Sequence, residues 1–288
     1  MTAFAHPSPG ASHLWDILQP ARRTRVVDIG ANPIDGDPPY KAMLQAGLCE
    51  VVGFEPQGTA WAELQRRKGP LETYLPHAVG DGGKHTLHLC RASGMTSLYA
   101  PDPATLELFA ALKPLGEVLS TETMTTRRLD DIAEIAGLDF LKIDIQGGEL
   151  EVFRHGREKL ARAVAIQTEV SFVTLYRDQP ALGEVDVELR AQGFMPHCFA
   201  AVKQWPIAPL VVNGDDRQPL NQLLEADLVY VRDFRQPEGL DAEQLKQLAL
   251  IAHHCYGSFD LAVRCLYLLE QRGELPAGGR DAYLRGLG

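Results

Sequence analysis

The chain has 288 residues, 45% hydrophobic and 23% charged, an ordinary globular composition with length for one large α/β domain or two small ones. A formal net charge of -10 argues against a protein that neutralises a phosphate backbone, so nucleic acid is set aside as a partner. The opening MTAFAHPSPG has no basic or apolar leader segment, no apolar run approaches the ~18 residues of a membrane span, and the five cysteines (Cys49, Cys90, Cys198, Cys255, Cys265) contain no CxxC pair; a reduced, cytoplasmic protein without a membrane span is expected.

Residues 1–23 read as a helical lead-in. Apolar runs that suit buried parallel strands then recur at 25–29 (RVVDI), 50–54 (EVVGF), 139–145 (DFLKIDI) and 163–170 (AVAIQTEV). Helical spacing fills the gaps at 40–47 and 58–69, each stretch closed by a glycine suited to the position after a helix. Strand, helix, strand, helix predicts a doubly wound, mostly parallel α/β sheet. Strands near 194–200 and 226–234 suit an antiparallel end. Residues 80–129 are less regular, with a Gly-Asp-Gly-Gly turn at 80–83 and an alternating strand at 85–90. A Gly-Met-Thr-Ser loop lies at 94–97; the whole 80–129 segment is expected to elaborate the fold over the site, with Thr96 and Ser97 as substrate-binding candidates. After Pro237, Asp241 suits the N-cap of a helix through 245–257, and a second helix runs through 260–273. This hairpin, residues 237–288, needs a surface on which to bury its apolar face, either the main domain or another copy of the chain in a homo-oligomer.

The turn after the first strand, VVDIGAN at 26–32, sits where doubly wound sheets bind ligands. Gly30 lets a ligand approach the backbone, with Ala31 and Asn32 beside it, and Asp28 supplies a carboxylate. A dinucleotide needs free N–H groups for its pyrophosphate, usually as GxGxxG. Here Asn32 replaces the second glycine, Pro33 has no N–H, and Asp35 and Asp37 add negative charge, so the loop suits the cationic S-adenosylmethionine better than NAD. Glu55 ends the second strand, where a carboxylate accepts hydrogen bonds from both ribose hydroxyls. Asp37-Pro38-Pro39-Tyr40 looks like the tetrapeptide that holds a target amine in amino-methyltransferases, but its position after the first strand is explained by Asp37 as N-cap and Pro38 as the first helical residue.

In KIDIQGGE (142–149), Lys142 and Asp144 alternate out of a strand and Glu149 lies in the first turn of a helix. Asp144 suits orienting a hydroxyl, accepting its proton or binding a divalent metal, with Glu169 as a neighbour. Structural alternatives are an N-cap for Asp144, a helix-end charge for Glu149 and a buried ion pair for Lys142. At 77–81, Ala78 and Val79 offer backbone to an adenine and Asp81 a side chain, while His77 reads as a surface residue.

With these pieces in place, the chain resembles the FkbM-like family of S-adenosylmethionine-dependent methyltransferases. VVDIGAN, VVGFEP, HAVGDGG, GMTSL, RRLDDI and FLKIDIQGGELEVF follow in order between about residues 24 and 234. The resemblance implies a class I methyltransferase Rossmann-like fold over residues 24–236 and O-methylation of sugars, glycan precursors or secondary metabolites. By that likeness Asp28, Gly30 and Asn32 contact the methionine part, Glu55 the ribose and Asp81 the adenine, with Asp144 and Glu149 on the acceptor side. The chain departs from the family pattern at Gln146, where many members carry Glu, and at Ser171, where a His is frequent. The expected reaction is methyl transfer to a hydroxyl of a small-molecule or glycan acceptor with Asp144 as base. An NAD-dependent oxidoreductase and a non-catalytic S-adenosylmethionine-binding module are the alternatives.

Overall fold

The computed structural model describes residues 11–32 and 36–287. In chain order the main elements are α1 (Ala11–Leu18), β1 (Thr24–Ile29), α2 (Lys41–Gln45), β2 (Cys49–Phe54), α3 (Gly58–Arg67), β3 (Glu72–Leu75), β4 (Ala78–Gly80), β5 (Lys84–Cys90) and α4 (Pro103–Leu108). There follow β6 (Val118–Arg128), β7 (Phe140–Ile143), α5 (Glu149–Arg154), α6 (Arg157–Leu160), β8 (Ala165–Ser171), α7 (Leu182–Ala191), β9 (Phe194–Gln204), β10 (Leu223–Arg232), α8 (Ala242–Tyr256), α9 (Phe259–Gln271) and α10 (Gly279–Leu287).

Seven strands form one sheet in the order β3-β2-β1-β7-β8-β10-β9. Strands β3, β2, β1, β7 and β8 pair in parallel, while β10 is antiparallel to both its neighbours, so it alone runs against the rest. This is the expected mostly parallel sheet with an antiparallel end. Chain order reverses between β1 and β7, and the carboxyl ends there border the crevice used for ligands in such sheets.

Successive side chains of a strand face opposite sides. Val26 therefore packs with α1, α2 and α8 to α10, beside Leu14, Met43, Leu248, Leu266 and Tyr283. Its neighbour Val27 packs the other way with α5 and α7, beside Leu150, Phe153, Val185 and Leu189. Covered on both faces, these strands need apolar residues at nearly every position. Near the carboxyl ends of the parallel strands the first face turns polar at Asp28, Lys142 and Gln167, which adjoin one another across β1, β7 and β8, with Asp227 of β10 opposite Glu169.

Asp241 caps α8 as expected, accepting from the Gln244 N–H at 2.8 Å, while the Gln244 side chain accepts from the Asp241 N–H at 3.2 Å. The α8–α9 hairpin buries its apolar face on the sheet of its own chain, joined by α10, which the sequence reading missed. At the start of the chain, Arg22 pairs through two nitrogens with the buried Asp139, which also accepts the Arg25 N–H at 2.8 Å, so the lead-in is tied to the root of β7. The expected cap by Asp37 is not formed. Helix α2 starts only at Lys41 behind Tyr40, and the Asp37 carboxylate pairs with the Lys41 ammonium instead.

The irregular stretch from 80 to 129 contains a second sheet, β4-β6-β5, with β5 and β6 antiparallel. Strand β6 is the principal element absent from the sequence reading. Most of its side chains are exposed, so it carries no apolar alternation to read. This sheet brings Leu87 and Met124 over the carboxyl ends of β1 and β2.

Candidate functional site

Two cavities open at the carboxyl ends of the central strands, and Asn32 and Asp144 line both. The first is also bounded by Gly30, Glu55, Gln57, His77, Ala78, Val79, Thr96, Ser97 and Gln146. Asp28, Ala31, Tyr40, Lys142, Gln167, Lys203 and Asp227 border the second. His77 thus belongs to the site rather than to the plain surface. Asp81 lines neither cavity.

The turn after β1 fits against β7 with no room to spare. Gly30 has φ of +80°, and a Cβ there would stand 2.0 Å from the Asp144 carbonyl oxygen, so only glycine satisfies both demands. The N–H groups of Gly30 and Ala31 both donate to the Phe54 carbonyl at 3.0 Å. They are thereby withdrawn from a pyrophosphate, which adds to the acidity of the loop as a reason against a dinucleotide. Pro33 and Asp35, part of the sequence argument on this loop, lie outside the described residues; Asp37 borders the second cavity.

Asp28 is buried and accepts from the Tyr40 hydroxyl at 2.6 Å. The Lys142 ammonium lies 3.5 Å from its Oδ1 and donates to the Gly30 carbonyl at 3.2 Å, so Lys142 braces the turn as a buried ion pair. Burial pushes the Asp28 carboxyl above the ordinary range, against the pull of Lys142. For Lys142, burial works against the charge, but Asp28 and Asp144 outweigh it and the pKa rises.

Glu55, at the end of β2, is buried beside the first cavity, and its Oε1 accepts the Gln57 N–H at 2.7 Å. Burial raises its pKa, the Gln57 N–H opposing. Ile29, Phe54, Val79, Leu87 and Met124 supply an apolar lining to the same cavity.

Around Asp144 three acids converge. One oxygen each of Asp144, Glu149 and Glu169 lie within 4.8 Å of one another. Glu149 accepts from the N–H groups of Ile145 at 2.9 Å and Gly147 at 3.3 Å, which closes the turn into α5, and burial pushes its pKa up to about 7. Burial and the neighbouring Asp144 and Glu225 raise the Glu169 pKa well above the carboxylate range, opposed by Lys203 at 3.5 Å. Gln146 lies among them, donating through Nε2 to Asp144 Oδ1 at 2.9 Å and to Glu169 Oε2 at 3.1 Å. The second oxygen of Asp144 has no hydrogen-bond donor among the described residues. The oxygens of this trio could serve a divalent cation, as the sequence reading allowed, but with Gln146 in their midst.

The remaining sequence candidates divide. Ala78 and Val79 line the first cavity, as do Thr96 and Ser97. Thr96 Oγ1 accepts the Cys90 N–H at 3.2 Å, and the buried Ser97 hydroxyl donates to the Gln146 carbonyl at 2.6 Å, so both already serve to hold the cavity wall. Asp81 binds the Gly83 N–H, His85 and the Thr126 hydroxyl, and the His85 bond carries its pKa down to about 2. Its carboxylate fixes the 81–83 turn. Gln57, Leu87 and Met124 on one side, and Tyr40, Gln167, Lys203 and Asp227 on the other, escaped the sequence reading as site residues. They come from β5, β6, β8, β9, β10, the turn before α3 and the chain leading into α2, and only the sheet topology assembles them.

Together these residues fit S-adenosylmethionine. Glu55 could accept from two hydroxyls, the apolar lining could face a purine, and the Asp144 carboxylate could stand near a sulfonium, while Asp28, on the second cavity, is already paired with Lys142.

Residues 28–196, more than half of the chain, match the model described as the methyltransferase FkbM domain. The chain belongs to this family. It is an S-adenosylmethionine-dependent methyltransferase with the class I Rossmann-like fold. Among curated proteins the enzyme is 28% identical, over 196 residues, to the 2-O-methyltransferase NoeI of Sinorhizobium fredii (strain NBRC 101917 / NGR234), covering 63% of this chain and 74% of that one. Solved structures with some likeness include magnesium protoporphyrin IX methyltransferase from Synechocystis PCC 6803 with bound SAM, 9% identical, covering 78% of this chain and 80% of that one at a TM-score of 0.39. Another is a putative S-adenosylmethionine dependent methyltransferase from Listeria monocytogenes, 10% identical, covering 79% and 100% at a TM-score of 0.38. Likeness at that level says nothing of the acceptor. Among the described residues no helix is long and apolar enough to cross a membrane.

Proposed function

We propose that this methyltransferase transfers the methyl group to a hydroxyl of a sugar or glycan precursor, with the donor in the first cavity and the acceptor in the second. The observation that carries this reading is that the two cavities meet at Asn32 and Asp144. A donor and an acceptor lying on either side would face each other at a carboxylate with one oxygen free.

The second cavity suits a hydroxyl-rich molecule. Carboxylates (Asp37, Asp144, Asp227), ammonium groups (Lys142, Lys203) and the Gln167 amide alternate around it, an arrangement of acceptors and donors that hydroxyls satisfy in either sense. The Asp227 carboxylate has no hydrogen-bond or ion-pair partner among the described residues. The likeness to a 2-O-methyltransferase points the same way.

S-adenosylmethionine supplies, when bound, an electrophilic methyl on a positive sulfur. The residues of the chain do the rest. Glu55 and the apolar lining fix the nucleoside, Lys142 and Gly30 hold the turn beneath it, and Asp144 orients the acceptor hydroxyl and takes its proton as the new O–CH3 bond forms and the S–CH3 bond breaks. Holding both partners at near-attack distance contributes most of the acceleration, and a positioned base about 10²–10⁴-fold.

The test is to incubate the purified enzyme with methyl-labelled donor and a panel of sugars, glycans and amines. Alkali-stable label in a carbohydrate is expected, and Asp144→Asn should lower its rate about 10²–10⁴-fold while the affinity for S-adenosylhomocysteine stays within about threefold. Label found only in amines would sink the proposal.

A further inference from the structure

Gln146 sits at a point where side chains meet that the methyl-transfer chemistry does not by itself require. Its Nε2 lies 2.9 Å from Asp144 Oδ1 and 3.1 Å from Glu169 Oε2. Both acids belong to the trio in which one oxygen of each lies within 4.8 Å of the others, the spacing of oxygens around one small divalent ion held at about 2.0–2.6 Å from each. The orientation of the amide follows from its neighbours. The Asp144 carboxylate oxygen only accepts, so the NH2 group faces it, and the Tyr176 hydroxyl stands 3.0 Å from Oε1, shared with the Met95 carbonyl at 3.2 Å. The backbone is pinned as well, with φ of +59° and the Gln146 carbonyl accepting from Ser97 at 2.6 Å. A left-handed conformation disfavours most side chains other than glycine, and here four contacts, with Asp144, Glu169, Tyr176 and Ser97, hold it.

We propose that Gln146 is a positioning residue whose neutral amide occupies the place of a divalent cation between Asp144 and Glu169, so that the acid trio is held in register without a metal. This rests on Asp144 being the acceptor-side carboxylate. The amide holds one oxygen of Asp144 and leaves the other to the cavity junction, while Lys203, 3.5 Å from Glu169 Oε1 and 2.6 Å from Glu225, supplies the positive charge that the acids would otherwise draw from an ion.

The experiment is a Mn2+ titration followed by electron paramagnetic resonance on the full chain saturated with S-adenosylhomocysteine, comparing the wild type with Gln146→Glu. The wild type should leave the free-ion signal unchanged at concentrations where Gln146→Glu, which adds a carboxylate at the same point, takes up one ion per chain, an affinity gain of at least about tenfold. Wild-type turnover, once an acceptor is in hand, should be indifferent to chelator and to added Mn2+. Uptake of one ion by the wild type with affinity near that of the variant would overturn the proposal, because the amide would then yield its place. So would a Gln146→Glu protein that binds S-adenosylhomocysteine normally yet takes up no ion. Should the variant fail to bind S-adenosylhomocysteine, the wild-type titration decides alone: no uptake supports the proposal and uptake refutes it. Failure of the wild type to bind S-adenosylhomocysteine would strike the donor-site reading, and leaves the Mn2+ comparison on the ligand-free chain to decide this one.

Discussion

Replacing Glu55 by Gln should move affinity and stability in opposite directions. The side chain is only 3% exposed, and one of its oxygens already accepts the Gln57 N–H at 2.7 Å. Two ribose hydroxyls donating to a carboxylate make charge-assisted hydrogen bonds, each net about 1.5–3 kcal/mol, and glutamine keeps the shape and one accepting oxygen. The expected loss is therefore about 2 kcal/mol, or about 30-fold in the dissociation constant for S-adenosylhomocysteine by isothermal titration. Stability runs the other way. Burial raises the Glu55 pKa, so its contribution to folding is fully present below the unfolded value and is lost as pH rises through the folded value. At pH 8 the ionised side chain is a burden that glutamine removes, and the ligand-free variant should melt at the same temperature as the wild type or higher. A dissociation constant within about twofold of wild type would show that Glu55 does not hold the donor. A weaker affinity accompanied by a lower melting temperature would show that its role is to hold the fold.

Gly30→Ala sets a methyl group 2.0 Å from the Asp144 carbonyl oxygen, whereas Gly47→Ala, at φ of +72°, meets open space. The first should cost several-fold more in urea stability than the about 1–2 kcal/mol of left-handed backbone expected for the second, and equal costs would refute the steric argument. Burial places the Glu149 pKa at about 7, so its share of stability, about 3 kcal/mol, is present below about pH 4.5 and is lost as pH rises through about 7. Glu149→Gln should flatten that part of the pH–stability curve, and an unchanged slope between pH 5 and 8 would count against the assignment. Asp227→Asn should raise the acceptor KM by about tenfold, the order of one hydrogen bond to a charged group, with S-adenosylhomocysteine affinity unmoved; a matching loss of donor affinity would place Asp227 in the donor site instead.

Much of this fold is written in the sequence because its central strands are buried on both faces. Val26, Val27 and Ile29 had to be apolar for that reason alone, and every residue of β8 is buried. The exposed β6 obeys no such demand and left no pattern. Within the site, Asp28, Asn32, Glu55 and Asp144 were legible because each lies at or just beyond a strand's carboxyl end, where topology gathers them. Lys203 and Asp227 were not, for they sit on a distant antiparallel pair and look like ordinary outward polar residues until β10 docks on β8. Asp81 shows the opposite case, a residue whose position was legible but whose carboxylate binds the Gly83 N–H of its own turn, a contact that the sequence does not announce. Gln146 was read in sequence as a base gone missing, and its three partners became apparent only once residues 144, 169 and 176 stood together.

The stretch that matches the family ends at residue 196, three residues into β9. A protein trimmed to that boundary would lack β10, so β8 would become an open edge with its peptide groups bare, and the flank of the sheet under α8, α9 and α10 would be stripped of its cover. Such a fragment should clump rather than fold. Shared ancestry and cooperative folding draw different borders on this molecule, and anyone cutting it down must follow the second.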